Sequence, residues 1–187
     1  MSTYFVQAHE NQMKLSFKVP ELTMLGEEIL LQKTNFSHFK NAVQVCSDLS
    51  RVLGRIREIT GYGRGLAAPQ IGSSERCFVT FVNDTYQYYI NPEITQYGDA
   101  KNRYKENCLS CGPIVVDVVR PESITLSYLN KENEKIKENH DGFMARLLRH
   151  EYDHLEGILN ISKTSVENLE LLHSDPLEEK LRPYAHE

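Results

Sequence analysis

No apolar run in this chain approaches the roughly 18 residues that a membrane span requires, so no transmembrane helix is expected. Positive charge is not in excess either: 21 Lys and Arg stand against 26 Asp and Glu, a formal net charge of −5. A nucleic-acid footprint needs a basic face, so no specific nucleic-acid partner is expected. The stretch from Met1 to Val19 lacks the charged head, apolar core and small-residue cleavage site of a secretory signal, which makes the cytoplasm the default location. Internal repeats and low-complexity stretches are absent. Cysteine is sparse, with Cys46, Cys77, Cys108 and Cys111 the four present. A domain of 187 residues buries a core without covalent staples, so free thiols are expected. Cys46 and Cys77 read as small buried apolar residues. Cys108 and Cys111 form a C-x-x-C that would suit a redox pair or half of a zinc site, but the second close pair of a full cysteine site is missing.

What is present is an ordinary globular balance, 40% apolar and 25% charged. Residues 1–20 are irregular in pattern. From Ser37 to Ile59 apolar residues recur at helical spacing (Phe39, Val43, Cys46, Leu49, Leu53, Ile56), and Gly61, Gly63 and Gly65 follow as a flexible turn. The middle is strand-rich. Cys77–Val82, Tyr86–Ile90 (ending at the Asn91-Pro92 turn signal), Ile114–Val119, Ser123–Leu129 and Glu134–Glu138 read as strands, with Asn130–Asn133 as a hairpin loop. Asp141 is the expected N-cap of a helix from Gly142 to about Leu159, whose inward stripe is Phe143, Leu147, His150, Glu151, His154 and Ile158. The tail from Ser165 is acidic and leucine-spaced, compatible with a further helix. The expected fold class is α+β, with mixed or antiparallel strands packed around a central helix. The whole chain, 1–187, reads as one domain, with its core at about 22–163 and an acidic tail at 165–187.

The chemistry concentrates in His150-Glu151-Tyr152-Asp153-His154, an H-E-x-x-H. On a helix, positions i and i+4 share a face, so both imidazoles can meet one metal ion, while Glu151 projects beside them as an acid/base. The bland alternative is a pair of core histidines, which the intervening Glu and the exact spacing argue against. A catalytic site of this kind takes three protein ligands and keeps one position open. The longer metzincin pattern continues through Gly157 but places Asn160 where a third His belongs. Glu167 or Glu170 could serve, although an acidic tail makes such matches cheap. Cys108 remains, a soft ligand whose thiolate a divalent ion favours.

These motifs together resemble the peptide deformylase family. Gly63-Arg64-Gly65-Leu66-Ala67-Ala68-Pro69-Gln70 is similar to its G-x-G-L-A-A-x-Q, Glu106-Asn107-Cys108-Leu109-Ser110 to its E-G-C-x-S, and His150 to His154 to its H-E-x-D-H. The likeness spans roughly Leu22 to Lys163. It implies one divalent metal ion, Fe(II) natively with Zn, Ni or Co as alternatives, held by Cys108, His150 and His154. It implies hydrolytic removal of the formyl group from N-formylated nascent peptides, with Glu151 carrying the proton and with Gln70 and the Leu109 N–H donating to the oxyanion. Substrate contacts fall on Gly63, Arg64, Gly65, Tyr104, Asn107, Phe143 and Leu147, of which Arg64, Tyr104, Phe143 and Leu147 would surround the side chain next to the formyl group. Glu106 is expected to pair with Arg120, and Asp153 to brace the centre. Read without the family, G-x-G-L-A-A is a weak dinucleotide fingerprint, set aside because it follows a helix and lacks the third glycine.

Four positions depart from the family pattern. Asn107 stands where Gly is usual; if that Gly serves by a positive φ, Asn is the best-tolerated substitute. Cys111-Gly112-Pro113 replaces an apolar-Pro run, and Val115 sits near an Arg of some members. Arg64 occupies a place usually held by a small apolar residue. The alternatives to a deformylase of methionyl peptides are a deformylase of another N-formyl compound and a non-catalytic metal-binding relic that binds N-termini. Some members dock at the ribosome through a basic C-terminal helix. Here residues 165–187 are acidic, so any ribosome contact is expected to lie elsewhere.

Overall fold

Two antiparallel sheets flank the helix that carries H-E-x-x-H. The computed structural model describes Leu15 and residues 18–171. The first sheet has the order β1-β2-β3-β6-β7 and the second β4-β5-β8. The strands are β1 (Gly65–Ala67), β2 (Cys77–Val82), β3 (Thr85–Tyr97), β4 (Lys101–Asn107), β5 (Ile114–Pro121), β6 (Ser123–Leu129), β7 (Lys135–Asp141) and β8 (Leu169–Leu171). Helix α1 is Phe39–Thr60 and helix α2 is Gly142–Leu155. The α+β class and the central position of the H-E-x-x-H helix are as the sequence implies.

Helix α1 forms because Ala42, Cys46, Leu49, Val52, Leu53 and Ile56 line one face, and all six are buried. Gly61 stops it in the left-handed region (φ 78°) with its N–H on the Arg57 carbonyl. Its apolar face packs on Leu66, Val79 and Ile90 of the five-stranded sheet. Each such side chain, fully buried, contributes about 1.5–3 kcal/mol. The opposite face of that sheet meets α2 through Phe78, Tyr89, Leu126 and Tyr128 against Ala145, Leu148 and Leu155. Cys46 and Cys77 are buried in the α1 core, as expected, and all four cysteines are free.

Several elements differ from the sequence reading. β3 does not stop at Asn91-Pro92. It runs on to Tyr97 through a register shift between Ile90 and Glu93, where Asn91 takes φ 49°. The bulge accommodates a proline that cannot donate to a regular ladder. It also frees the Asn91 amide to bind the backbone of Ser37 through both its oxygen (2.8 Å) and its nitrogen (2.9 Å), just ahead of α1. β1 and β4 lie in stretches that read as turn or as unpatterned. α2 ends at Leu155 rather than near Leu159, so Ile158 leaves its inward stripe. Gly157 (φ 70°) accounts for the stop: a Cβ there would lie 2.5 Å from the Leu31 carbonyl oxygen. Asp141 holds the N-cap position of α2 but makes no side-chain capping bond.

The described part of the tail is not helical. A 3-10 turn at Val166–Asn168 leads into β8, which pairs with β5 while Glu170 meets Lys105. Residues 1–14, 16, 17 and the acidic end beyond Leu171, on which the irregular-start and further-helix readings partly rest, lie outside the described residues.

Candidate metal centre and active site

Three elements converge on one point. α2 supplies His150 and His154, the residue directly after β4 supplies Cys108, and the 3-10 turn Ala68–Ile71 after β1 supplies Gln70. One ligand atom from each of Cys108, His150 and His154 lies within 4.8 Å of the others. Cys108 Sγ is 3.3 Å from His154 Nε2. Bonds of about 2.0–2.3 Å to a tetrahedral ion place ligands at roughly this spacing, so the three residues fit a single ion. The donor chemistry agrees. The neighbouring Cys111 side chain holds the Cys108 thiol well below its usual pKa against the effect of burial, and the imidazoles add to the lowering, so a thiolate is available. A thiolate with two imidazoles suits a first-row transition ion.

His150 turns its Nδ1 to Glu106 Oε2 at 3.1 Å, which leaves Nε2 for an ion. Glu106 is the hub of a buried charge network. It accepts two bonds from Arg120 (2.6 and 2.8 Å) and another from Arg146. Burial would raise its pKa, but Arg120 and His150 outweigh that and hold it far below the carboxylate range. Arg120, itself 2% exposed, also binds Asp153 at 2.7 Å, which in turn meets Arg149 and Lys163. The expected Glu106–Arg120 pair and the Asp153 brace are therefore both present. Removing one partner of such a buried pair typically costs about 3–5 kcal/mol.

Glu151 is buried beside the cluster, and its Oε2 has no hydrogen-bond partner among the described residues. Burial pushes its carboxyl up to about 7, against the pull of the two histidines. Gly65 lies directly against it, so any larger residue there would have to displace the Glu151 side chain. Gly63 needs its glycine for another reason, a φ of 116°. Gln70 accepts from Ala67 N (2.9 Å), and its Nε2 donates to Ser110 Oγ (3.1 Å) and points at Cys108 Sγ (3.7 Å). Leu109 opens the turn Leu109–Cys111, so its N–H has no acceptor within that turn.

The remaining residues singled out in the sequence are more dispersed. Asn107 is regular strand, paired with Val115, and not a positive-φ position. Its amide turns to the carbonyls of Gly112 (2.8 Å) and Ile114 (2.9 Å) and braces the loop after Cys108. Leu147 is nearly buried on α2, whereas Tyr104 is 41% exposed and lies under the guanidinium of Arg146. Arg64 and Phe143 approach each other, with Cζ 6.0 Å from the ring. Asn160 is a brace, binding the Glu106 carbonyl (3.2 Å) and the Cys111 thiol (3.5 Å). Glu167 and Glu170 are exposed and away from the cluster. Arg146 was missed by sequence reasoning, and Ser110 was named there only as part of its motif, without a role. For Arg146 the available signal was its position four residues before His150, on the same helical face.

The family model described as polypeptide deformylase matches residues 19–169. The peptide deformylase of Pseudothermotoga lettingae is 36% identical over 146 residues, covering 76% of this chain and 81% of that one. Among solved structures, peptide deformylase from Thermus thermophilus superimposes with a TM-score of 0.71 at 28% identity, over 87% of this chain and 93% of that one. Peptide deformylase from Thermotoga maritima does so with 0.65 at 32% identity, over 77% and 96%.

Proposed function

The chain belongs to the polypeptide deformylase family, and from that premise we propose that it hydrolyses the formyl group from N-formylmethionyl ends of newly made peptides, releasing formate and a free amine. The observation that carries the reading is the convergence of Cys108, His150 and His154 with the Glu151 carboxyl, whose Oε2 lacks a hydrogen-bond partner, and the amide of Gln70. A relic that only bound N-termini would need neither Glu151 nor Gln70.

When bound, a divalent ion lowers the pKa of water and so makes a nucleophile available at neutral pH. The protein's own groups do the rest. Glu151, whose pKa of about 7 suits both taking and returning a proton, accepts one from the attacking water and delivers it to the leaving amine. The Gln70 Nε2–H and the Leu109 N–H donate to the oxygen that becomes negative. The free edges of β1 and β4 flank the cluster, so the backbones of Gly63, Gly65 and Asn107 are available to pair with an extended peptide. Phe143 and Leu147 offer apolar surface to methionine, with Tyr104 and Arg64 at its margin. We assign Fe(II) as the native ion, with Zn, Ni or Co as substitutes. No described helix is long and apolar enough to cross a membrane, and four free thiols suit a cytoplasmic setting. Contact with the ribosome, if made, does not use a basic tail, and removing residues 172–187 should leave co-sedimentation unchanged.

The test is turnover of formyl-Met-Ala with released amine as readout, before and after chelation. Activity that vanishes with the metal and returns with Fe(II) supports the proposal. Turnover of other N-formyl compounds but not this peptide moves the chain to another substrate. Metal binding with no turnover of either leaves a relic.

A further inference from the structure

Arg57 and Arg64, beside β1, lack the carboxylate partner that six other arginines have. Arg51, Arg55, Arg76, Arg120, Arg146 and Arg149 each reach a carboxylate within 4.0 Å. Among the described residues Arg57 and Arg64 form no such pair. Instead Arg57 Nη1 donates to the Gly63 carbonyl (2.8 Å) with its guanidinium 4.1 Å over Phe81, and Arg64 reaches toward Phe143. Partial burial weakens the hold of Arg64 on its proton, and repulsion from the nearby Arg57 adds to it. A chain of net charge −5 thus leaves two adjacent cations uncompensated beside β1.

Their position on the peptide's path follows from the order of residues. Glu151 touches Gly65, and Gln70 and Cys108 lie on the C-terminal side of that glycine. A peptide with its formyl end there and its backbone on the free edge of β1 must run back past Arg64 and Gly63, antiparallel to the strand. At ~3.4 Å per residue, the reach of an arginine covers the first few residues beyond the reacting one. Resting on the deformylase reading, we propose that Arg57 and Arg64 form a carboxylate-binding subsite that selects N-formyl peptides with an acidic group one to three residues after the formylated one. The acid is either an Asp or Glu side chain or, in a short peptide, the C-terminal carboxylate.

The experiment compares kcat/KM for formyl-Met-Ala-Glu-amide, formyl-Met-Ala-Ala-amide, formyl-Met-Ala-Lys-amide and formyl-Met-Ala-Ala with a free carboxylate. The Glu peptide should exceed the Ala amide by about threefold to tenfold, as a partly exposed double ion pair allows. The Lys peptide should fall below both, and the free carboxylate tells the two sources of acid apart. The preference should collapse toward unity in about 1 M salt and in Arg64→Gln. Equal rates for the Glu and Lys peptides would overturn the proposal. If even the Ala amide is not turned over, the deformylase reading fails instead. Calorimetry with unformylated Met-Ala-Glu-amide and Met-Ala-Lys-amide then still reads the arginines, and equal affinities sink the subsite.

Discussion

Gly65 and Glu151 are in such close approach that a Cβ on residue 65 would lie 2.6 Å from the carboxyl carbon of the glutamate. Gly65→Ala is therefore expected to push Glu151 out of line while leaving Cys108, His150 and His154 in place. A misplacement of about 1 Å costs roughly 10²-fold in rate. Metal content by elemental analysis should stay near one per chain while kcat falls by about that factor. Unchanged kcat would show that Glu151 does not need its present position.

Removing the carboxylate altogether separates ligand from acid/base. Glu151→Ala should retain bound metal and lose most turnover, because Glu151 is outside the Cys108, His150 and His154 set. His154→Ala is the contrast and should lose the ion. Metal loss of equal extent in both variants would mean that Glu151 is a ligand.

Gln70→Ala should lower kcat by about 10²–10³, the usual consequence of deleting one oxyanion donor. The side chain also binds Ala67 N and Ser110 Oγ, so some stability goes with it. Ser110→Ala controls for that part, since it removes one of Gln70's bonds without removing the donor. A fall in kcat for Ser110→Ala as large as for Gln70→Ala would assign the effect to structure.

Acid lability should carry a signature from the end of α2. Glu156 binds Lys33 and Arg76, both at 2.6 Å, tying the segment after Leu31 to the helix terminus and to the start of β2. Burial raises its pKa, but Lys33 and Arg76 outweigh that and lower it. A depressed native pKa means that the contribution is complete above the unfolded value, about 4.3, and is lost as pH falls toward the native one. Thermal melts of Glu156→Gln and wild type should therefore differ by up to about 1 kcal/mol at neutral pH and converge near pH 3. A constant gap across that range would contradict the assignment.

How much of this could be read in advance depended on how local each signal was. The helix carrying the candidate metal ligands was legible because its chemistry sits in five consecutive residues at helical spacing, and Cys108 because a short motif surrounds it. β1 was hidden by its length, three residues all buried, and by the glycines before it. β4, Lys-Asn-Arg-Tyr-Lys-Glu-Asn, has no apolar alternation because it is an edge strand whose inner face meets a charge network rather than an oily core. Arg146 was overlooked for the same reason: an arginine on a helix reads as solvated, and its place one turn before His150 gains meaning only from the burial of Glu106 in three dimensions. The Asn91-Pro92 pair misled because a bulge and a turn use the same residues.

The Glu106 hub has a kinetic consequence. It joins β4 to α2, so Cys108 and the two histidines stay together only while the three-stranded sheet remains docked on the helix. Escape of a bound ion would then require that interface to part, and the off-rate would be a property of opening rather than of ligand exchange at an exposed shell. Extraction by a strong chelator should be independent of chelator concentration and should keep pace with amide hydrogen exchange in β4, and weakening the seam by Arg146→Met should quicken both together.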